Sequence, residues 1–124
     1  MNQAILLFAH GSRDPEWAKP FHRLREMLES RLPSHRVELA FLESMPPAFD
    51  EAVERIAAGD SRRATVVPLF LAQGGHLRED IPKLISRARA RHPAIDFTLL
   101  SPLGEAPEVL QAIAAWIAKS QARP

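Results

Sequence analysis

At 124 residues the chain is on the scale of one domain, and 46% hydrophobic with 25% charged residues is ordinary for a soluble globular protein. A formal net charge of +1 leaves no strongly basic footprint, so nucleic acid is not an expected partner. The absence of cysteine excludes disulfides, thiolate zinc sites, iron–sulfur clusters and a cysteine nucleophile, and it fits a reducing, cytoplasmic setting.

The first element is the unbroken apolar run at residues 4–9, the pattern of a strand buried on both faces. Met1-Asn2-Gln3 ahead of it carries no positive charge, so a secretory signal is not indicated. Asp14-Pro15 reads as a helix N-cap followed by proline at the first helical position. Trp17, Phe21, Leu24 and Leu28 then line one face of a helix. Pro20 inside that stretch predicts a kink, or a true start near Lys19.

Residues 37–42 form a weaker strand interrupted by Glu38. Phe49, Val53, Ile56 and Ala57 recur at helical spacing, with Asp50-Glu51 charging the start and Gly59 closing the end. Residues 64–72 read as the third strand. Pro68 inside it lacks an N–H and predicts a local bulge. The longest apolar run in the chain, residues 66–72, falls far short of the roughly 18 that suggest a membrane span.

Leu84, Ile85 and Ala88 mark a third helix, capped by Asp80 and ended by His92-Pro93. Residues 95–100 are the fourth strand. Ala106-Pro107-Glu108 opens a fourth helix carrying Val109, Leu110, Ile113 and Ile117, and residues 121–124 are expected to fray. Trp17 and Trp116 both fall on stripes expected to face the core.

Four β-α rounds predict one α/β domain spanning residues 1–124, a three-layer α/β/α sandwich. Its four-stranded parallel sheet is expected in the flavodoxin-like order 2-1-3-4. In such sheets ligands bind beyond the carboxyl ends of the strands, where strand order reverses. His10-Gly11-Ser12-Arg13 follows strand one, Glu43-Ser44-Met45 strand two, Gln73-Gly74-Gly75-His76 strand three and Ser101-Pro102-Leu103-Gly104-Glu105 strand four. With strand one between strands two and three, His10 and His76 are expected side by side, and Glu43 on the other flank of His10.

Two imidazoles and a carboxylate suit a borderline divalent metal such as cobalt, nickel, iron or zinc. Neutral imidazole also accepts protons. For any one histidine, a plain loop or capping role is equally open. Gly11, Gly74 and Gly75 allow positive φ and close approach of a ligand, or simply make tight turns. Arg13 and Arg78 flank the site and would meet an anionic substrate. His22, His35 and His92 read as structural. The chain has no GxGxxG, P-loop or GxSxG, which removes support for dinucleotide binding, Walker-type nucleotide binding and an α/β-hydrolase elbow.

The segments at residues 7–15 (LFAHGSRDP), 41–43 with the prolines after them, 66–82 (VVPLFLAQGGHLREDIP) and 103–108 resemble the short form of the CbiX family, the sirohydrochlorin chelatases related to class II chelatases. The resemblance runs over nearly the whole chain, and the third segment is the specific one. It implies insertion of a divalent metal into the tetrapyrrole sirohydrochlorin, in cobalamin or siroheme biosynthesis. No cofactor is permanently bound: Co2+, Fe2+ or Ni2+ is a substrate.

By the same resemblance His10 and His76 hold the metal, His10 takes a pyrrole proton, and Glu43 is a third ligand or proton acceptor. Leu71, Ala72, Gln73, Gly74, Gly75 and His76 border the macrocycle, Ser12 and Arg13 join the substrate contacts, and Met45 or Ser44 touches it from the opposite loop. Long forms carry two such units, so one unit implies a symmetric homodimer. Two other functions use the same residues. One is a non-catalytic tetrapyrrole or metal carrier. The other is phosphoryl transfer on a histidine, which would want an arginine where Ala9 stands.

Overall fold

In a computed structural model of the chain, residues 3–121 are described. The readings of the first two residues and of the chain end at 122–124 lie outside them. Four strands, β1 (Gln3–Ala9), β2 (His35–Phe41), β3 (Arg63–Pro68) and β4 (Asp96–Leu99), alternate with four α-helices. These are α1 (Lys19–Arg31), α2 (Phe49–Ala57), α3 (Gly75–Arg91) and α4 (Pro107–Gln121). The sheet is parallel in the order β2-β1-β3-β4, as the alternation of elements predicts.

The prolines explain the element boundaries. Asp14 caps a short 3₁₀ turn, Pro15–Ala18, by accepting from the Glu16 backbone N–H at 3.0 Å. Pro20 then stands in the first turn of α1, where no N–H is needed, so the helix starts at Lys19 without a break. Pro68 makes no bulge, contrary to expectation. It is the last residue of β3, paired opposite Phe8, and Leu69 N–H resumes the ladder by donating to Phe8 O at 2.8 Å. Nor does Asp80 cap α3. The cap is Gly74, and Pro82 is tolerated inside the helix, so α3 gains a front turn that carries His76.

Phe8, wholly buried, is central to one sheet face, with ring centroids 5.2 Å from Phe49 and 5.8 Å from Phe70. Around it α2 contributes Ala52, Val53 and Ile56, and α3 contributes Ile81, Ile85 and Ala88. On the other face Leu7, Ala9, Val37, Leu39 and Phe41 pack beneath Trp17, Phe21, Leu24 and Leu28. Glu38, the charge that interrupts the second apolar run, is buried on the edge strand β2. Arg36 Nε donates to it at 3.0 Å and Arg55 lies 4.0 Å away, so the burial of charge is compensated.

The expected core role of Trp116 is not met. Its side chain is 76% exposed, and no residue of α4 is buried. Two helices therefore cover one face of the sheet, while α1 alone lies on the other.

Truncating Phe8→Ala removes the ring that joins α2 to the β3 end, and a cost of about 3–5 kcal/mol is expected in denaturant-induced unfolding.

Candidate active site

The site is assembled by the carboxyl ends of β1, β2 and β3. Beyond its last ladder pair, Ala9 with Phe41, β1 stays bonded to the β2 loop: Leu42 N–H donates to Ala9 O at 2.9 Å and Glu43 N–H to His10 O at 3.1 Å. This approach depends on Gly11, whose φ is +99°. A β-carbon there would lie 1.9 Å from Glu43 O. Only glycine satisfies both conditions.

The consequence is a direct side-chain pair. His10 Nε2 lies 3.1 Å from Glu43 Oε1. A carboxylate only accepts, so the imidazole donates through Nε2–H, leaving the Nδ1 lone pair open. The side chains are 52% and 62% exposed, and such a pair adds less than about 1 kcal/mol to stability. Its effect is to orient the ring. Phe70, a residue that sequence reasoning did not single out, supports His10 from the β3 side. It is buried, and its ring stands edge-to-face with the imidazole at 6.2 Å. Its signal was available as the aromatic in the run after Pro68.

His76 is exposed on the first turn of α3, not in a loop. Among the described residues no three His, Cys, Asp or Glu side chains gather as a group able to hold a metal ion. The chain thus joins His10 to Glu43 and presents His76 from the neighbouring strand's helix. Gly74 takes ordinary extended backbone at φ −75°, and Gly11 is the one glycine with positive φ among the described residues. A β-carbon at Gly74 or Gly75 would meet nothing within 4 Å, so both lie beneath open space.

Leu71 and Ala72 are exposed and Gln73 half-buried between Phe70 and α3, with Leu71 61% exposed. Arg13 and Arg78 make no ion pair among the described residues. Ser12 Oγ accepts from Asp14 N–H at 3.1 Å, keeping its own hydroxyl proton free to donate. Met45 is half-buried beneath α1 with the cluster around Trp17, so only part of it can face a ligand.

A cleft of about 820 Å³ continues the edge toward β4, lined by Gln73, Leu77, Arg78, Leu100, Ser101 and Glu105 among others. The far wall of this edge is fixed by Gly104. A β-carbon there would lie 1.5 Å from Leu71 O.

An open parallel sheet that carries an exposed imidazole–carboxylate pair beyond the carboxyl ends of two neighbouring strands defines an α/β protein with a site able to accept and pass on protons. The CbiX family model matches residues 4–120, and the chain belongs to that family. It is 35% identical to the sirohydrochlorin cobaltochelatase of Saccharolobus solfataricus over 106 residues, 81% of each chain. It superposes on the crystal structure of a putative cobalamin biosynthesis CbiX protein from Marinobacter aquaeolei with a TM-score of 0.80, at 35% identity, covering 98% of this chain and 99% of that one. The sirohydrochlorin chelatase SirB of Bacillus subtilis subspecies spizizenii, solved in complex with cobalt, gives 0.80 at 30% identity. There the match covers 96% of this chain but 51% of SirB.

Gly11→Ala is expected to lower stability by about 1–3 kcal/mol through the strained φ and the clash with Glu43 O. Gly75→Ala, inside the first turn of α3, should leave stability equal or slightly raised. Thermal unfolding of the two variants side by side checks the contrast.

Proposed function

We propose that this chain is a sirohydrochlorin metallochelatase that works as one CbiX-type unit per protomer, with His10 as its proton-accepting centre. The observation that carries the reading is the His10–Glu43 pair at the sheet edge, held by the Gly11 contact, in a chain of this family. Metal insertion exchanges two pyrrolic protons for one dication. His10, with Nε2–H committed to Glu43, has Nδ1 to take up one of those protons or to meet the incoming ion. Glu43 is then a positioning residue and local proton acceptor. A carboxylate behind a histidine fixes the tautomer and orientation of the ring.

His76 supplies a second nitrogen from α3. Two imidazoles hold a divalent ion loosely enough to pass it on, which suits a metal that is substrate and not resident cofactor. The flat tetrapyrrole lies over Leu71, Ala72 and the open backbone of Gly74 and Gly75. Arg13 and Arg78 face its carboxylate arms, with Ser12 as a further donor and Gln73 and Met45 at its margins. Cobalt, iron and nickel all suit this donor set, and supply in the cell decides among them.

One unit covers one side of a macrocycle. A symmetric homodimer brings two His10 edges to the same ligand, two imidazoles for two protons, and the match to half of SirB supports that arrangement. Among the described residues no helix is long and apolar enough to cross a membrane, and the reading places the reaction in the cytoplasm.

The test incubates purified protein with sirohydrochlorin and Co2+, Fe2+ or Ni2+ separately, following the visible spectrum over many equivalents. Continued turnover is expected, whereas saturation at one equivalent would mark a carrier and overturn the proposal. His10→Ala and His76→Ala should each slow insertion by about 100-fold or more with unfolding unchanged. Glu43→Gln should cost about 10- to 100-fold. Wild-type rates in the histidine variants would reject the assignment.

A further inference from the structure

Ser44 stands in a conformation that its side chain does not favour. Its φ is +70°, and it is the one non-glycine residue with positive φ among the described residues. An L-residue in that left-handed region brings its β-carbon too close to the carbonyl oxygen that follows. Asparagine and glycine suit the region; serine has no such preference. The side chain of Ser44 is exposed, and its hydroxyl makes no hydrogen bond among the described residues, so it does not hold the turn itself. Such a residue persists only where its surroundings over-determine it.

The surroundings act from both sides. Ahead of Ser44, both peptide groups of Glu43 are fixed. Its N–H donates to His10 O at 3.1 Å, and its carbonyl lies against Gly11, where a β-carbon would come within 1.9 Å of the oxygen. The φ of Ser44 is the first rotation after that fixed carbonyl. Behind Ser44, Met45 is half-buried against the cluster that includes Trp17, Phe21 and Phe41. Pro47 O then accepts from Phe41 N–H at 2.9 Å and closes the loop. In an extended chain residues 43 and 45 would project to the same face. Here one side chain reaches His10 at the exposed rim, and the other is packed with the cluster beneath α1. The left-handed residue between them makes the separation.

We infer that Ser44 is a positioning residue for the reaction: its left-handed backbone parts Met45 from Glu43 and so keeps the Glu43 carboxylate 3.1 Å from His10 Nε2. It acts through its φ, not its hydroxyl, and through Glu43, not on the macrocycle. The exposed pair is too weak to set its own geometry, so the loop must set it. Gly11 fixes the backbone of Glu43 from the β1 side. Ser44 fixes where the chain goes next, and with Met45 sent to the core the carboxylate stays at the rim. The inference rests on the chelatase reading for its rates, but not for its geometry.

The test compares Ser44→Asn, which suits left-handed backbone, with Ser44→Val, whose β-branched side chain opposes it. With sirohydrochlorin and Co2+, Ser44→Val should show a kcat about 10-fold below that of Ser44→Asn, with KM values within about twofold of each other. In a Glu43→Ala background the two should differ by less than about twofold, because the carboxylate they position is gone. Crystal structures should show the contact between His10 Nε2 and Glu43 Oε1 kept in Ser44→Asn and parted in Ser44→Val. Ser44→Thr, a milder β-branched variant, carries the same comparison where Ser44→Val does not fold. Equal kcat values in the two variants overturn the inference. So does a difference that persists without Glu43, which would make residue 44 merely structural. A raised KM in Ser44→Ala also overturns it, by making the hydroxyl a substrate contact. Without turnover in the unaltered protein the chelatase reading falls by itself, and the crystallographic distances decide. An intact pair in Ser44→Val then overturns the inference, and a parted pair supports it.

Discussion

The structure turns on the close approach of two backbones, that of Gly11 and that of Glu43. Where any side chain would clash with Glu43 O, glycine lets the β1 loop lie against the β2 loop. The hydrogen bonds Leu42 N–H to Ala9 O and Glu43 N–H to His10 O follow, and with them the 3.1 Å contact between His10 and Glu43. The exposed ion pair contributes little to stability. Its geometry is set by the backbone beneath it, so the site is held by the sheet, not by its own charges. Phe70 links that edge to the core through Phe8, so the imidazole stands above a rigid aromatic column.

That column also explains the division of labour between the two faces of the sheet. The face carrying Phe8 is closed by α2 and α3, and it anchors the β3 loop and the start of α3, where His76 sits. The other face is closed by α1 over β1 and β2 only. Beside α1 that face keeps an apolar groove lined by Ile5, Leu7, Val67 and Leu100 among others, and the close approach of Gly104 to Leu71 O fixes the rim of the site on the β4 side. On the proposed reading, assembly and substrate binding share one edge, since a macrocycle between two copies needs both of those edges aligned.

Much of this was legible in the residues. Continuous apolar runs and helical stripes locate all four strands and helices, and the order of connections places His10 between the β2 and β3 loops. Two boundaries marked by proline misled, each for its own reason. Asp80-Ile81-Pro82 has the chemistry of a helix start, yet α3 tolerates Pro82 inside it, begins behind the Gly74 cap and carries His76 on its first turn. Pro68 suggests a bulge only if the strand continues, and it ends there. Trp116 was misplaced because periodicity reports that a helix has an apolar face, not whether that face is buried. Phe70 was passed over because one aromatic within an apolar run gives no sign that it lies beneath a histidine.

The most direct measurement follows the five imidazoles by nitrogen-15 NMR while Co2+ is added below one equivalent. The account predicts paramagnetic broadening of His10 and His76 together, with His22, His35 and His92 still sharp. Broadening of His22 or His92 ahead of His10, or an unaffected His10 and His76 pair, would contradict it.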